Sequence, residues 1–170
     1  MQEEIVNRVA NSGLITFNLE DYFDTSESKL LDLKDWLFQE MILKEKEFRQ
    51  FVKEHDWSQY KDKNVAVHCS ADAIIPTWAY MLVTIALEPY AKNIVLGGEK
   101  DLSIYLFNQA LRQVNINDFV DARVVVKGCS KYPVPNNAYV EITKLLRPVA
   151  SSIMYGEPCS TVPLYKKPKK

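Results

Sequence analysis

The first sixty residues carry mainly helical patterns of apolar and polar positions. Residues 5–10 form a short amphipathic stretch that ends before Gly13. Residues 14–19 instead alternate with a period of two, which predicts a strand. A polar break at residues 24–28 offers N-cap candidates for the element that follows. That element is predicted to be a long helix, because apolar or long side chains recur every three or four residues at Leu30, Leu33, Leu37, Met41, Lys44 and Phe48.

The second half of the chain alternates short apolar strands with helices. The strands are predicted at residues 65–69, 93–96 and 122–126. The helices are predicted at residues 76–87, 101–111 and 137–147. This alternation is typical of an α/β fold with a mainly parallel sheet and right-handed βαβ crossovers. We therefore predict a single domain, residues 1–170, without an internal repeat. Residues 1–60 form its mainly helical N-terminal segment and residues 61–165 its α/β portion.

Composition and charge indicate which partners and which compartment to expect for this protein. The chain has 170 residues and a formal net charge of −1, which gives no reason to expect a nucleic acid or an acidic membrane as partner. The chain begins Met-Gln-Glu-Glu, where a secretory signal would carry lysine or arginine. Its three cysteines are an odd number. We therefore expect reduced thiols and a cytoplasmic location.

The longest apolar stretch runs from Ala73 to Leu87. It contains Pro76 and two threonines and is too short to span a bilayer, so we interpret it as a helix buried on every face. Part of its surface is available instead to close a homodimer.

Each of the three cysteines is followed by a serine. Cys69 and Cys129 come where predicted strands end, and the carboxyl ends of parallel strands share one edge of a sheet, where ligands bind. Cys159 lies in a turn-rich stretch after the last helix and can return to that edge. Three thiolates suit zinc or an iron–sulfur cluster with one non-cysteine position, for which Asp72 is a candidate. The serines are expected to donate hydrogen bonds to metal-bound sulfur.

Two other interpretations of the cysteines remain open. Cys69 precedes a helix whose dipole and amides would favour a thiolate, so it can serve as the nucleophile of a thiol enzyme or as a sulfur carrier. A phosphatase loop is excluded, because Asp72 and Ile75 stand where such a loop needs a glycine and an arginine. In the third interpretation the cysteines only pack in the core of an interaction protein. His68 is interpreted as structural and His55 as a surface residue.

Several segments of the chain recur together in one known family, namely residues 4–7, 13–17, 55–60, 69–80 and 156–165. On these segments the chain resembles the bacterial family catalogued as domain of unknown function 2480 over essentially its full length, most specifically in the segments that contain Cys69 and Cys159. No activity is established for that family. Its genes often lie near iron–sulfur cluster assembly genes, so the resemblance implies iron–sulfur assembly proteins as partners.

Overall fold

A computed structural model describes residues 13–128 and 130–168. Its seven strands, in chain order, are β1 (Leu14–Asn18), β2 (Ser28–Asp32), β3 (Asn64–His68), β4 (Asn93–Leu96), β5 (Arg123–Lys127), β6 (Ser152–Glu157) and β7 (Ser160–Lys166). Its four α-helices within the same residues are α1 (Glu45–Glu54), α2 (Thr77–Leu87), α3 (Glu99–Leu111) and α4 (Asn136–Leu146). The fold is therefore α/β, as predicted. None of the helices in this part of the chain has the length and apolar character that crossing a bilayer would require.

The chain divides into two compact units. Among the described residues, unit 1 comprises residues 13–24 and 106–168, and unit 2 comprises residues 25–105. The sequence predicted one mainly parallel sheet, but each unit has a sheet of its own. The short amphipathic stretch predicted at residues 5–10 lies outside the described residues.

The sheet of unit 1 has the strand order β1-β5-β6-β7. The first three strands are parallel, and β7 pairs antiparallel with β6 to close a hairpin. The middle of β5 is fully buried, as expected for a strand of three consecutive valines in a covered parallel sheet. Helix α4 and the end of α3 cover this sheet with buried side chains, which are Phe107, Leu111, Ala138, Ile142 and Leu146.

The sheet of unit 2 has the order β2-β3-β4 and is parallel throughout. Its central strand β3 is buried over its first four residues. Helices α1 and α2 pack on it, and their buried side chains are Phe48, Val52, Ala79, Val83 and Leu87. The predicted helices at residues 76–87 and 101–111 are confirmed as α2 and α3, within two residues at each end. The prediction that the first of them is buried on every face was wrong, because Met81 and Ile85 are 61% and 69% exposed.

The two units repeat one arrangement 59 residues apart. Strands β3 and β5 correspond at this spacing, and so do α2 and α4 with their N-cap prolines Pro76 and Pro135. Asp62 and Asp121, also 59 residues apart, both have positive φ angles, 60° and 54°. The expectation of no internal repeat was therefore wrong. The repeat is also visible as identical residues at this spacing, which include Ala79 and Ala138, Tyr80 and Tyr139, Thr84 and Thr143, Leu87 and Leu146, and Pro89 and Pro148.

The predicted helical segment at residues 1–60 is corrected by the structure. Where a helix was expected from residue 30 to residue 52, Ser28–Asp32 forms strand β2, and the α-helix is confined to Glu45–Glu54. Apolar spacing suited a helix, but β2 pairs with β3 over five residues. This pairing satisfies the backbone and buries Leu31 in the core of unit 2.

Candidate functional site

Each unit has a seven-residue loop that contains a Cys-Ser pair. In unit 2, residues 69–75 join the carboxyl end of β3 to Pro76, the N-cap of α2. In unit 1, residues 128–134 join β5 to Pro135, the N-cap of α4. We call these the unit 2 loop and the unit 1 loop. Cys129 itself lies outside the described residues.

A carboxylate from the neighbouring strand holds the unit 2 loop. Asp32 is the last residue of β2 and pairs in register with His68 at the end of β3. Its carboxylate accepts hydrogen bonds from the Ser70 amide at 3.0 Å and from the Ser70 hydroxyl. The Lys34 amide donates to it at 2.9 Å, and His68 Nε2 lies 4.0 Å away. Strand pairing thus places the carboxylate directly beside the loop.

These contacts control the ionisation of Asp32. Partial burial is the largest single influence and opposes the charged form. The hydrogen bonds from Ser70 and Lys34, with the nearby His68, together outweigh it, so the pKa of Asp32 lies below its ordinary value. Asp32 is therefore an anion at neutral pH and acts as an acceptor for the loop.

The unit 1 loop is held by a different carboxylate. Glu20 lies in the 3-10 helix Leu19–Tyr22, which directly follows β1. Its side chain accepts hydrogen bonds from the Ser130 amide and hydroxyl, both at 2.7 Å, and from the Tyr132 amide at 2.8 Å. The Lys131 amide donates to the same carboxylate. Three successive amides of the unit 1 loop therefore converge on one oxygen of Glu20.

This arrangement strongly favours the charged form of Glu20. The Tyr132 amide has the largest effect, followed by the Ser130 hydroxyl, and these two bonds with the Lys131 and Ser130 amides outweigh the opposing effect of desolvation. Together they lower the pKa of Glu20 to about 2. Glu20 is 9% exposed, so it is a buried structural anion and is not accessible as a ligand.

The serines of both loops do not have the role expected from the sequence. Ser70 and Ser130 were predicted to donate hydrogen bonds to metal-bound sulfur. In the structure the amide and the hydroxyl of each serine donate to Asp32 or Glu20. These two carboxylates were not among the predicted site residues, although each follows or ends a strand that pairs with the strand before a Cys-Ser loop.

Cys69 is half-buried in the unit 2 loop and packs against the core of that unit. Its sulfur lies 3.8 Å from the Ala71 carbonyl oxygen and donates to it, a contact that a protonated thiol makes. Amide donors from α2 were expected to stabilise a thiolate, but the contact found is with a carbonyl. Burial and then the proximity of Cys69 raise the pKa of Tyr80.

Cys159 lies at the tip of the hairpin between β6 and β7 and is exposed. It is therefore not a packing residue. An ion pair of 3.1 Å joins Lys127, the last residue of β5, to Glu157, the last residue of β6. The unit 1 loop and the hairpin tip thus extend from neighbouring strand ends at the same edge of the unit 1 sheet.

The predicted three-cysteine site would combine residues that follow strands of both sheets. Cys69 follows β3 and Cys129 follows β5, and these strands belong to different sheets, so the argument from a single shared edge was wrong. Within residues 13–128 and 130–168, no group of three or more His, Cys, Asp or Glu side chains is arranged to hold a metal ion. Whether Cys69, Cys129 and Cys159 bind one metal, with Asp72 as a further ligand, stays a prediction. Asp72 is exposed and is not the N-cap of α2.

His55 has more contacts than the surface position predicted for it. Its ring lies 5.1 Å from Trp36 and 4.7 Å from Trp57, centroid to centroid, and its Nε2 is 3.0 Å from the Tyr60 hydroxyl. Gln59 also contacts this nitrogen, at 3.3 Å. Burial lowers the pKa of His55. Only the aromatic residues around it in the sequence could have indicated this environment.

Comparison with known proteins identifies the family. A family model described as "Protein of unknown function (DUF2480)" matches residues 3–167. The chain belongs to this family. No match was found among curated proteins or among solved structures. Membership in DUF2480 confirms the predicted resemblance and leaves the function to be inferred from the sites described above.

Proposed function

We propose that this DUF2480 protein is an accessory protein that binds a thiophilic metal ion or an iron–sulfur cluster, with Cys129 and Cys159 as ligands. The proposal depends on the parallel pairing of β5 with β6. Each of the two cysteines comes two residues after the last residue of one of these strands. Neighbouring strands are about 4.8 Å apart, so side chains just beyond their ends are within reach of a common centre.

The thiolate groups of the two cysteines favour binding of soft metals. Thiolates are the preferred ligands of zinc, copper(I) and iron–sulfur clusters. Two thiolates leave coordination positions free for ligands from a partner. This suits a protein that receives or passes on a metal centre better than one that keeps it permanently. The exposed hairpin tip at Cys159 gives a partner direct access.

The proposed setting is iron–sulfur cluster assembly in the cytoplasm. The thiols must be reduced to bind metal, which a reducing compartment provides. The family resemblance supports iron–sulfur assembly proteins as the partners. Zinc is the alternative metal, since its sites use the same thiolate ligands.

Anaerobic purification followed by metal and labile-sulfide analysis tests this proposal. We expect near-stoichiometric metal in the wild type, and a loss in Cys129→Ser and in Cys159→Ser. Cys69→Ser is the matched control, because Cys69 follows a strand of the other sheet. If Cys69→Ser also loses metal, the three-cysteine site is supported. If the Cys129→Ser/Cys159→Ser double variant binds metal as the wild type does, the proposal is wrong.

A second candidate function is sulfur transfer at Cys69, favoured by the half-exposed position of its thiol in an anchored loop. In this reaction the Cys69 thiolate attacks the outer sulfur of a persulfide donor. A new S–S bond forms, and the donor leaves as a thiolate. The thiol must first lose its proton and break its contact with the Ala71 carbonyl.

Alkylation by iodoacetamide across pH tests the second candidate. A reactive Cys69 would be modified faster than free cysteine near neutral pH, and Cys69→Ser would remove that fast phase. Cys159 is exposed and provides an internal reference for an ordinary accessible thiol. Modification of Cys69 no faster than that of Cys159 would argue against nucleophilic chemistry at this position.

A further inference from the structure

The outer edge of β4 differs from the corresponding edge in unit 1. Strand β6 is the counterpart of β4, since each follows the helix that leaves a Cys-Ser loop. In unit 1, β7 pairs antiparallel with the outer side of β6. Within the described residues, β4 pairs with β3 alone and ends its sheet. Among the described strands, none pairs with the outer side of β4, whereas β7 pairs with the outer side of β6.

The residues of β4 do not protect this edge. Strand edges are commonly guarded by charges, prolines or bulges, which prevent pairing with other chains. The outer strand β7 has Pro163, Lys166 and a register irregularity opposite Ile153 and Met154. The outer strand β2 has Lys29 and Asp32. Strand β4 has the sequence Asn-Ile-Val-Leu, without charge or proline, and its Leu96 is 64% exposed. The remaining edge strand, β1, directly follows residues outside the described part of the chain.

Helix α2, which packs beside β4, shows the same difference. Its outward residues Met81 and Ile85 are 61% and 69% exposed. At the matching positions of α4, 59 residues later, the side chains are Val140 and Lys144, and Lys144 forms an ion pair with Glu141. No residue of α2 is charged. Strand β4 and helix α2 are thus both without charge, and Met81, Ile85 and Leu96 are exposed apolar side chains, which is typical of an interaction surface.

We propose that a second copy of this chain pairs with the β4 edge, so that the two three-stranded sheets form one continuous six-stranded sheet. A twofold axis perpendicular to the sheet makes two neighbouring β4 strands antiparallel, the same pairing with which β7 covers β6 in unit 1. The edge has no charge that would repel its own copy. The association is independent of the proposed metal site, which lies in unit 1.

Sedimentation velocity in the presence of a reductant tests this proposal, with the reductant excluding disulfide-linked dimers. We expect a mass of twice 19.6 kDa for the wild type at high micromolar concentration. Leu96→Lys should raise the dimer dissociation constant at least about tenfold, since a lysine on an edge strand opposes pairing. Leu164→Lys is the matched control, because Leu164 is 56% exposed on the outer strand of unit 1. It should leave the dimer intact.

Hydrogen exchange gives a second measurement that does not depend on a variant. The amides of β4 should become more protected as protein concentration rises, while those of β7 should not change. A wild type that stays at 19.6 kDa up to roughly 500 µM, well above a micromolar dissociation constant, would overturn the proposal. A dimer that Leu96→Lys leaves unchanged, or one that Leu164→Lys dissociates equally well, would also overturn it.

Discussion

Units 1 and 2 hold equivalent loops with carboxylates that come from different places. In unit 1 the carboxylate is Glu20, two residues beyond the end of β1, and it receives three amides and a hydroxyl. In unit 2 it is Asp32, still within β2, and it receives the amide and hydroxyl of Ser70 and the amide of Lys34. The longer side chain of Glu20 reaches the unit 1 loop from beyond the end of its strand, whereas the shorter side chain of Asp32 reaches the unit 2 loop from within its strand. Both loops thus have a carboxylate that accepts hydrogen bonds from the serine of the Cys-Ser pair, although the residue type and its position in the unit differ.

The units also differ in what they leave exposed. Unit 1 covers the outer side of β6 with β7, and it places charged residues on the outward side of α4. Unit 2 leaves β4 and the outward side of α2 uncharged. The same arrangement of strands and helices thus supports one surface suited to solvent and another suited to a partner.

The largest expected effect concerns the helices that cover the two sheets. Leu87 of α2 and Leu146 of α4 occupy matching positions, and each is fully buried. Replacing either with alanine should lower the free energy of unfolding by about 2–5 kcal/mol, because the lost contacts leave a cavity. Urea denaturation of Leu87→Ala and Leu146→Ala measures both. A loss below about 1 kcal/mol at either position would contradict the equivalence of the two cores.

The second largest expected effect is a difference in stability between variants of the two carboxylates. Glu20→Gln removes the charge and turns an amide group toward amide donors, so it should destabilise the protein more than Asp32→Asn does. For Asp32→Asn we expect a loss of about 1–2 kcal/mol, typical of weakened hydrogen bonds to a charged group. Chemical denaturation of both variants at neutral pH provides the comparison. Equal losses would show that the additional amides at Glu20 do not contribute to stability.

Acid should weaken the protein through Glu20. Its pKa is lowered from an ordinary value of 4.5 to about 2, so its contribution to stability is complete above pH 4.5. The contribution is lost progressively as the pH falls from 4.5 toward 2, because the unfolded chain takes up a proton first. Glu20→Gln should therefore flatten the pH dependence of the denaturation midpoint in this range. An unchanged slope would contradict the assignment.

The smallest effect comes from His55. Val114 lies 59 residues later, before the 3-10 helix of unit 1 that matches Trp57–Tyr60 of unit 2. Burial lowers the pKa of His55 below its ordinary value of 6.5. Its neutral form therefore favours folding above pH 6.5, and this contribution declines as the pH falls below that value. An NMR titration of the two histidines should place the midpoint of His55 lower than that of an exposed histidine. A midpoint at or above 6.5 would show that the aromatic cluster does not desolvate the ring.

Much of the local structure followed from the sequence. The predicted strands at residues 14–19, 93–96 and 122–126 are confirmed as β1, β4 and β5, within a residue at each end. The helix predicted at residues 137–147 is α4, shifted by one residue. These elements have periodic patterns or caps that depend on neighbouring residues only.

Elements that depend on distant partners were missed. Strand β2 has the apolar spacing of a helix and becomes a strand because β3 pairs with it. The hairpin of β6 and β7 was predicted only as a turn-rich stretch around Cys159, and β7 contains Pro163, which disfavours a strand assignment. At the site, the position of the Cys-Ser pairs at strand ends was predictable from the sequence. The carboxylates that hold their serines were not.

The sequence by itself determined the α/β class, most of the helices, and the position of Cys69 after a strand and before a helix. The tertiary structure decided which strands share a sheet and which carboxylate meets which loop. The physical reason is separation along the chain. Leu14 pairs with Arg123, and the bonds from Ser70 to Asp32 and from Ser130 to Glu20 span 38 and 110 residues. Local periodicity contains no information about partners so far apart, because packing and hydrogen bonding select them only when the whole chain folds.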